Sequence, residues 1–199
     1  SLTELKILKL LFNNLTKEHT IREISLSLKL PYPQIHRNIT SLLGKKLVKK
    51  KQKGKSQMIS LILEKFNSEY ILTELERRRD IAHRYKLIKI LIEDLEKIPV
   101  NQFICILFGS YAEKKAKPNS DIDLLFVIPE EYDYSKFERI SKQIITLPNL
   151  DSQVTTERGL IEMWNTPKKL NVGNEILKKH VVLLGAEQFL RLRRKYYVG

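Results

Sequence analysis

Two short apolar runs constrain this chain more than any other feature. FICILF (Phe103–Phe108) and DIDLLFVI, which ends at Ile128 before Pro129, are rich in β-branched and aromatic residues. Runs of that length and make-up read as strands, so the chain must build a sheet and cover it. Polar chemistry is gathered where the two runs adjoin. Gly109-Ser110 follows the first at once, YAEKKA forms a short helical turn, KPNS a loop, and Asp121 and Asp123 open the second. Residues two apart on a strand project to the same face, so these two aspartates stand together while Ile122 turns to the core. Paired carboxylates repel, and a divalent cation is the simplest compensation. Mg²⁺ takes one or two carboxylates together with water and phosphate oxygens, and two such ions can clamp the attacking and leaving oxygens of a phosphoryl transfer. Gly109 lets the backbone approach a ligand, and the Ser110 hydroxyl with neighbouring N–H groups can hold a phosphate.

The rest of the chain bounds what surrounds this centre. Its 199 residues suit one large domain or two small ones. The apolar runs fall far short of the ~20 residues that span a bilayer, and the amphipathic first segment does not read as a signal peptide. A cytoplasmic protein without a membrane partner is the expectation. The single cysteine, Cys105, excludes an internal disulfide and a cysteine-based zinc cluster. The net charge of +13 is uneven: residues 1–66 carry +10 of it and residues 67–199 only +3. That asymmetry points to a polyanion partner for the first third.

Within residues 1–66 the elements can be ordered. Leu2, Leu5, Leu8 and Phe12, widened by Ile7, Leu11 and Leu15, make one helical stripe. Thr20 with Glu23 is a capping box that starts a second helix at Ile21. Pro33 suits the first turn of a third helix, with Ile35, Ile39, Leu42 and Leu43 facing inward. Two strand-like runs around Gln52-Lys53-Gly54-Lys55 form a basic hairpin. This order resembles the winged helix-turn-helix family of bacterial and archaeal regulators. The resemblance implies DNA binding, with Gln34, His36, Arg37, Asn38 and Thr40 of the third helix reaching bases or phosphates. Lys49, Lys50, Lys51, Lys53 and Lys55 of the hairpin would sit on phosphates.

Residues 67–98 contain neither Gly nor Pro, and Ser68 is a candidate cap. Their periodicity reads as one connecting helix of ~45 Å at about 1.5 Å per residue, long enough to supply a homodimer surface. Arg78 and His83 have the Arg-x4-His spacing of HEPN-type ribonucleases, but that motif needs a helical bundle, and a solvated charged face is the better reading. His180, Trp164 and Met163 read as structural. Lys178, Lys179, Arg191, Arg193 and Arg194 lie on a basic tail whose last helix, AEQFLRLRRKYY, reads as solvated.

The order Gly109-Ser110, then Ser120-Asp121-Ile122-Asp123-Leu124, is similar to the signature of the DNA polymerase β-type nucleotidyltransferase superfamily, and most similar to its minimal nucleotidyltransferases. Over residues 99–199 the resemblance implies an α/β domain of polymerase-β-like fold with a mixed sheet, and an α+β protein overall. It implies that Asp121 and Asp123 hold Mg²⁺ or Mn²⁺, that Gly109 and Ser110 hold the phosphates of a nucleoside triphosphate, and that a third acid on a later strand completes the site. The chain has Glu113-Lys114 where many members carry Arg-Gly. Asp151 is the only acid of NLDSQVTT, and Gln153 shares its face. The register of that strand decides whether Asp151, Ser152 or Gln153 stands beside the pair. With Asp151 there, the reading is a transferase moving a nucleoside monophosphate to an acceptor hydroxyl. Without it, the reading is a DNA-binding regulator that only binds nucleotide. Minimal nucleotidyltransferases also pair with HEPN proteins, which makes such a protein a candidate partner and an antitoxin-like role a further reading.

Overall fold

The computed structural model describes residues 1–199. It begins with α1 (Leu2–Phe12), whose N-terminus is capped by the Ser1 hydroxyl in a capping box with Glu4. The two-residue β1 (His19–Thr20) leads into α2 (Ile21–Leu28), started by the Thr20–Glu23 capping box. α3 (Tyr32–Gly44) carries Pro33 in its first turn. β2 (Val48–Lys53) and β3 (Ser56–Leu61) then form a ribbon whose turn holds Gly54 at φ +59°. The three strands pair antiparallel in the order β1-β3-β2. Ile7, Leu11, Phe12, Ile24, Ile35, Ile39, Leu42 and Ile59 fill the core beneath them. The inner row of α1 runs through Ile7, Leu8, Leu11 and Phe12, which turns Leu2 out to 70 % exposure. Only Val48 of β2 is buried, so the ribbon projects beyond the core as a lysine-bearing arm.

The expected single connecting helix is two. α4 (Ser68–Arg84) is capped by Asn67, whose side chain accepts from the Tyr70 N–H, rather than by Ser68. α5 (Lys86–Leu95) follows a break at Tyr85, which is extended at φ −125° and ψ 110°. The break has a packing cause. α4 places Tyr70 in the N-terminal core and Ile81 in the second core, while α5 lays Ile88, Leu91, Ile92 and Leu95 on the sheet. The Tyr85 ring meets Tyr111 edge-on with centroids 4.9 Å apart. Helical periodicity continues through the break, so no local signal marks it. Along α4, Tyr70, Thr73, Glu74, Arg77 and Ile81 are buried against the chain itself, while Leu72 and Leu75 face outward.

The second sheet comprises β4 (Ile104–Phe108), β5 (Ile122–Ile128), β6 (Leu150–Thr156) and β7 (Val181–Leu184), in the order β6-β5-β4-β7. It is mixed, with β5 and β6 parallel and the other pairs antiparallel. The short α6 (Gly109–Ala112) follows β4 directly, and α7 (Tyr134–Ile144) makes the crossover from β5 to β6. α8 (Glu157–Trp164) and α9 (Val172–Lys178) precede β7, and α10 (Ala186–Val198) ends the chain. Alternate strand residues feed two cores. Cys105, Leu107, Leu124 and Phe126 pack with α5 and α7, and Ile104, Ile106, Leu125 and Val127 pack with α8, α9 and α10. A strand buried on both faces needs an unbroken apolar run, which is what β5 has. No helix is long and apolar enough to cross a membrane.

The last helix is not a solvated one. Its Leu190 enters the N-terminal core, and Arg193 is fully buried, stacked over Phe12 and Tyr70 at 5.3 and 5.6 Å from the ring centres. Beside it the buried Glu74 carboxylate accepts from Arg77 at 3.1 Å and lies 3.1 Å from His180 Nε2. Arg77 also donates to the His180 carbonyl, and Arg78 to that of Leu183. Arg78 therefore fastens α4 to β7 rather than pairing with His83, which is exposed.

Candidate functional site

β4 and β5 bring the polar ends of the two apolar runs together, because Phe108 pairs with Asp123 across the antiparallel ladder. Asp123 is the second residue of β5, and Asp121 lies one residue before the strand, exposed. Gly109 turns the chain at φ +67° into α6. A Cβ placed there would stand 2.0 Å from Asp123 Oδ2. The glycine thus does two things: it adopts a left-handed backbone conformation that costs other residues energy, and it leaves the space the Asp123 carboxylate occupies. Gly109→Ala is expected to displace that carboxylate and strain the turn. It should cost about 1–3 kcal/mol of stability along with the function of the site. Unchanged thermal unfolding and activity would show that the close approach is dispensable.

The open question of β6 is one of register. The parallel ladder sets Asp151 opposite Asp123, Ser152 opposite Leu124 and Gln153 opposite Leu125. Paired residues of adjacent strands share a face, so Asp151 stands beside Asp123. A fourth acid, Glu175, comes from α9. Burial, then the charges of Asp151, Asp121 and Glu175, raise the Asp123 carboxyl above the ordinary carboxylate range. None of the four has a Lys, Arg or His within ion-pair distance, although the chain forms such pairs elsewhere. Oxygen-only donors with uncompensated negative charge suit a hard divalent cation. The protein groups alone do not converge into a ready-made cage of three ligands. Mg²⁺ sites commonly complete their shell with water and phosphate oxygens, so the donor set fits that ion as part of a nucleotide complex.

Next to the acids lies a polar cleft of about 490 Å³, lined by Asn14, Gly109, Ser110, Glu113, Lys115, Glu175, Lys178 and Lys179. Glu113 bridges Lys115 and Lys179 at 3.1 and 3.2 Å. Those two ammonium groups hold its carboxyl below the usual range. Three lysines and two acids thus line a cleft that adjoins further carboxylates, an arrangement suited to a metal-bound polyphosphate. Glu175 was not evident as a site residue from the sequence. Its i,i+3 spacing from Lys178 puts the two on one helical face, which is the signal that marks it. Asn14 had no such signal.

The N-terminal candidates divide. His36 and Arg37 of α3 are exposed. Gln34 and Asn38, one turn apart, face α1 instead: Gln34 donates to the Thr3 hydroxyl at 3.1 Å, and Asn38 accepts from the Ser1 hydroxyl at 2.7 Å. Those half-buried side chains link α3 to the N-terminal end of α1. Thr40 is exposed, with its hydroxyl turned back to the His36 carbonyl at 3.0 Å. Lys49, Lys50, Lys51, Lys53 and Lys55 are all exposed on the ribbon. Lys49 and Lys53 make solvent-exposed pairs with Glu64 and Glu18 at 3.4 and 3.7 Å, of a kind worth little.

Residues 85–188 match the family model described as "Polymerase beta, Nucleotidyltransferase", a little over half of the chain. The match begins at Tyr85, the residue that separates α4 from α5. No curated protein and no solved structure matches the chain.

Proposed function

The chain belongs to the polymerase-β nucleotidyltransferase family, and from that premise we propose that it transfers a nucleoside monophosphate from a nucleoside triphosphate to an acceptor hydroxyl, with Mg²⁺ or Mn²⁺ as cofactor. The observation that carries this reading is the placement of Asp151 beside Asp123, with Gly109 making room for the carboxylate. A regulator that only binds nucleotide was the alternative had Asp151 fallen out of register, and nothing in the strand pairing favours it.

Asp121, Asp123 and Asp151 would hold the metal, which when bound offsets the charge developing on phosphate oxygens. Gly109 and Ser110 orient the triphosphate, and β5 and β6 fix the Asp123 and Asp151 carboxylates on rigid strands. Positioning and electrostatics supply most of the catalysis in phosphoryl-group chemistry of this kind. Attack at the α-phosphorus expels pyrophosphate. The test is the product released on incubation with each NTP, Mg²⁺ and an extract containing acceptors. Pyrophosphate is expected; release of nucleoside diphosphate or inorganic phosphate instead would refute nucleotidyl transfer.

The N-terminal unit we read as a winged helix-turn-helix that binds DNA, with α3 presenting His36 and Arg37 and the β2–β3 ribbon as the wing. Its support is the array of exposed lysines on a projecting ribbon and the excess charge of residues 1–66. Replacing Lys49, Lys50, Lys51, Lys53 and Lys55 with Ala is expected to weaken DNA binding and to flatten its dependence on salt. Each phosphate that the variant no longer neutralises should reduce the steepness of the log–log slope by about 0.9. An unchanged slope would exclude the ribbon as a phosphate-binding element.

A further inference from the structure

We propose that the N-terminal unit forms one wall of the nucleotide cleft, with Asn14 and Lys178 holding the triphosphate that Gly109 and Ser110 orient; this rests on the nucleotidyltransferase reading of the same site. Asn14 lies on the loop between α1 and β1, outside the segment that matches the family, yet it lines the cleft with Gly109 and Ser110. Its side chain is fixed in one sense. Oδ1 accepts from the Thr16 N–H at 3.2 Å and from the Thr16 hydroxyl at 3.0 Å. The amide Nδ2 has no acceptor in the protein and is left to donate to a ligand.

Lys178 completes the set. Of the three lysines lining the cleft, Lys115 and Lys179 share the carboxylate of Glu113. Lys178 has no carboxylate partner. The Ser110 hydroxyl has no hydrogen bond either. Three donors without acceptors (a hydroxyl, a primary amide and an ammonium) therefore border one polar cleft beside four uncompensated carboxylates. A polyphosphate chain carrying a divalent cation satisfies both halves: its oxygens accept from the donors, and its cation meets the acids. The N-terminal unit can hold Asn14 in place because α1 is tied to α4 by the Lys9–Asp80 ion pair, and α10 reaches back into its core through Leu190.

The test is calorimetric titration of the full chain with each of the four Mg·NTPs and with Mg·tripolyphosphate. Asn14→Ala, Asn14→Asp and Lys178→Ala are compared with Lys168→Ala, an exposed lysine outside the cleft. Loss of a hydrogen bond to a charged oxygen corresponds to about tenfold in affinity. Asn14→Ala and Lys178→Ala are each expected to weaken NTP and tripolyphosphate by about that factor. Asn14→Asp should weaken both by more, since it sets a negative charge against the phosphates, and Lys168→Ala should bind as wild type. Circular dichroism spectra should be unchanged throughout. Wild-type affinity in the Asn14 and Lys178 variants would overturn this inference and leave the transferase reading standing. A wild-type chain that binds none of the four NTPs would overturn both.

Discussion

The Asp123→Asn chain is expected to be more stable than the wild type in the absence of divalent cations, and at least about a thousandfold less active in their presence. Both effects come from one carboxylate. Its charge is opposed by burial and by Asp151, Asp121 and Glu175, so its folded pKa lies above its unfolded one. The sign follows from linkage. The cost of the charge is absent below the ordinary value of 3.8 and is fully present once pH has risen through the raised folded value. Metal-free wild type should therefore lose stability across that window as pH rises, and the Asn variant should not. Mg²⁺ with nucleotide should raise the wild-type thermal midpoint and leave that of the variant unmoved. A variant less stable than wild type in chelator would mean that Asp123 is a structural group, not a metal ligand held ready at an energetic cost.

The second large effect is expected far from the acids, where the two halves of the chain are joined. Glu74→Gln removes the carboxylate that faces Arg77 and His180 and lies near Arg193, whose Nε, Nη1 and Nη2 have no hydrogen-bond partner. Breaking a buried ion pair by deleting one member costs about 3–5 kcal/mol, since the remaining charge stays buried. Burial opposes ionisation of Glu74, but Arg77 and His180 outweigh it and lower its pKa to about 2. A depressed acid contributes stability above its unfolded value of about 4.5, and that contribution is lost as pH falls toward 2. Wild type should thus lose stability over that range more steeply than Glu74→Gln, which should unfold at lower temperature at neutral pH. Equal midpoints at pH 7 would show that the ion cluster contributes nothing net.

Local signals in this sequence carried far, and the failures share a cause. The Thr20–Glu23 capping box, Pro33 in the first turn of α3 and the apolar runs of β4 and β5 depend on neighbours a few residues away, and each was legible. The break at Tyr85 separates α4, which spans two cores, from α5, which lies on one of them, a division that no window along the chain reveals. Asp151 and Gln153 could not be separated because the register of β6 is set through the α7 crossover, not by β6 itself. Arg193 looked solvated because its aromatic and acidic partners lie on α1 and α4. The bonds of Gln34 and Asn38 to the N-terminal end of α1 were not legible either, because the sequence shows that a helix has a second face but not which element lies against it. In the candidate site, the residues within one strand–turn–strand unit were visible. Those brought in by other elements, Glu175 and Asn14, were not.

The most direct measurement is transfer of label from α-phosphorus-labelled NTPs to acceptors in a cell extract, run with wild type, Asp123→Asn and Asp151→Asn, and with γ-labelled NTPs in parallel. Label from the α position, moved by wild type in the presence of Mg²⁺ or Mn²⁺ and by neither variant, is the expected result. Transfer of γ-label, or equal α-label transfer by all three chains, would contradict a nucleotidyl transfer centred on these carboxylates.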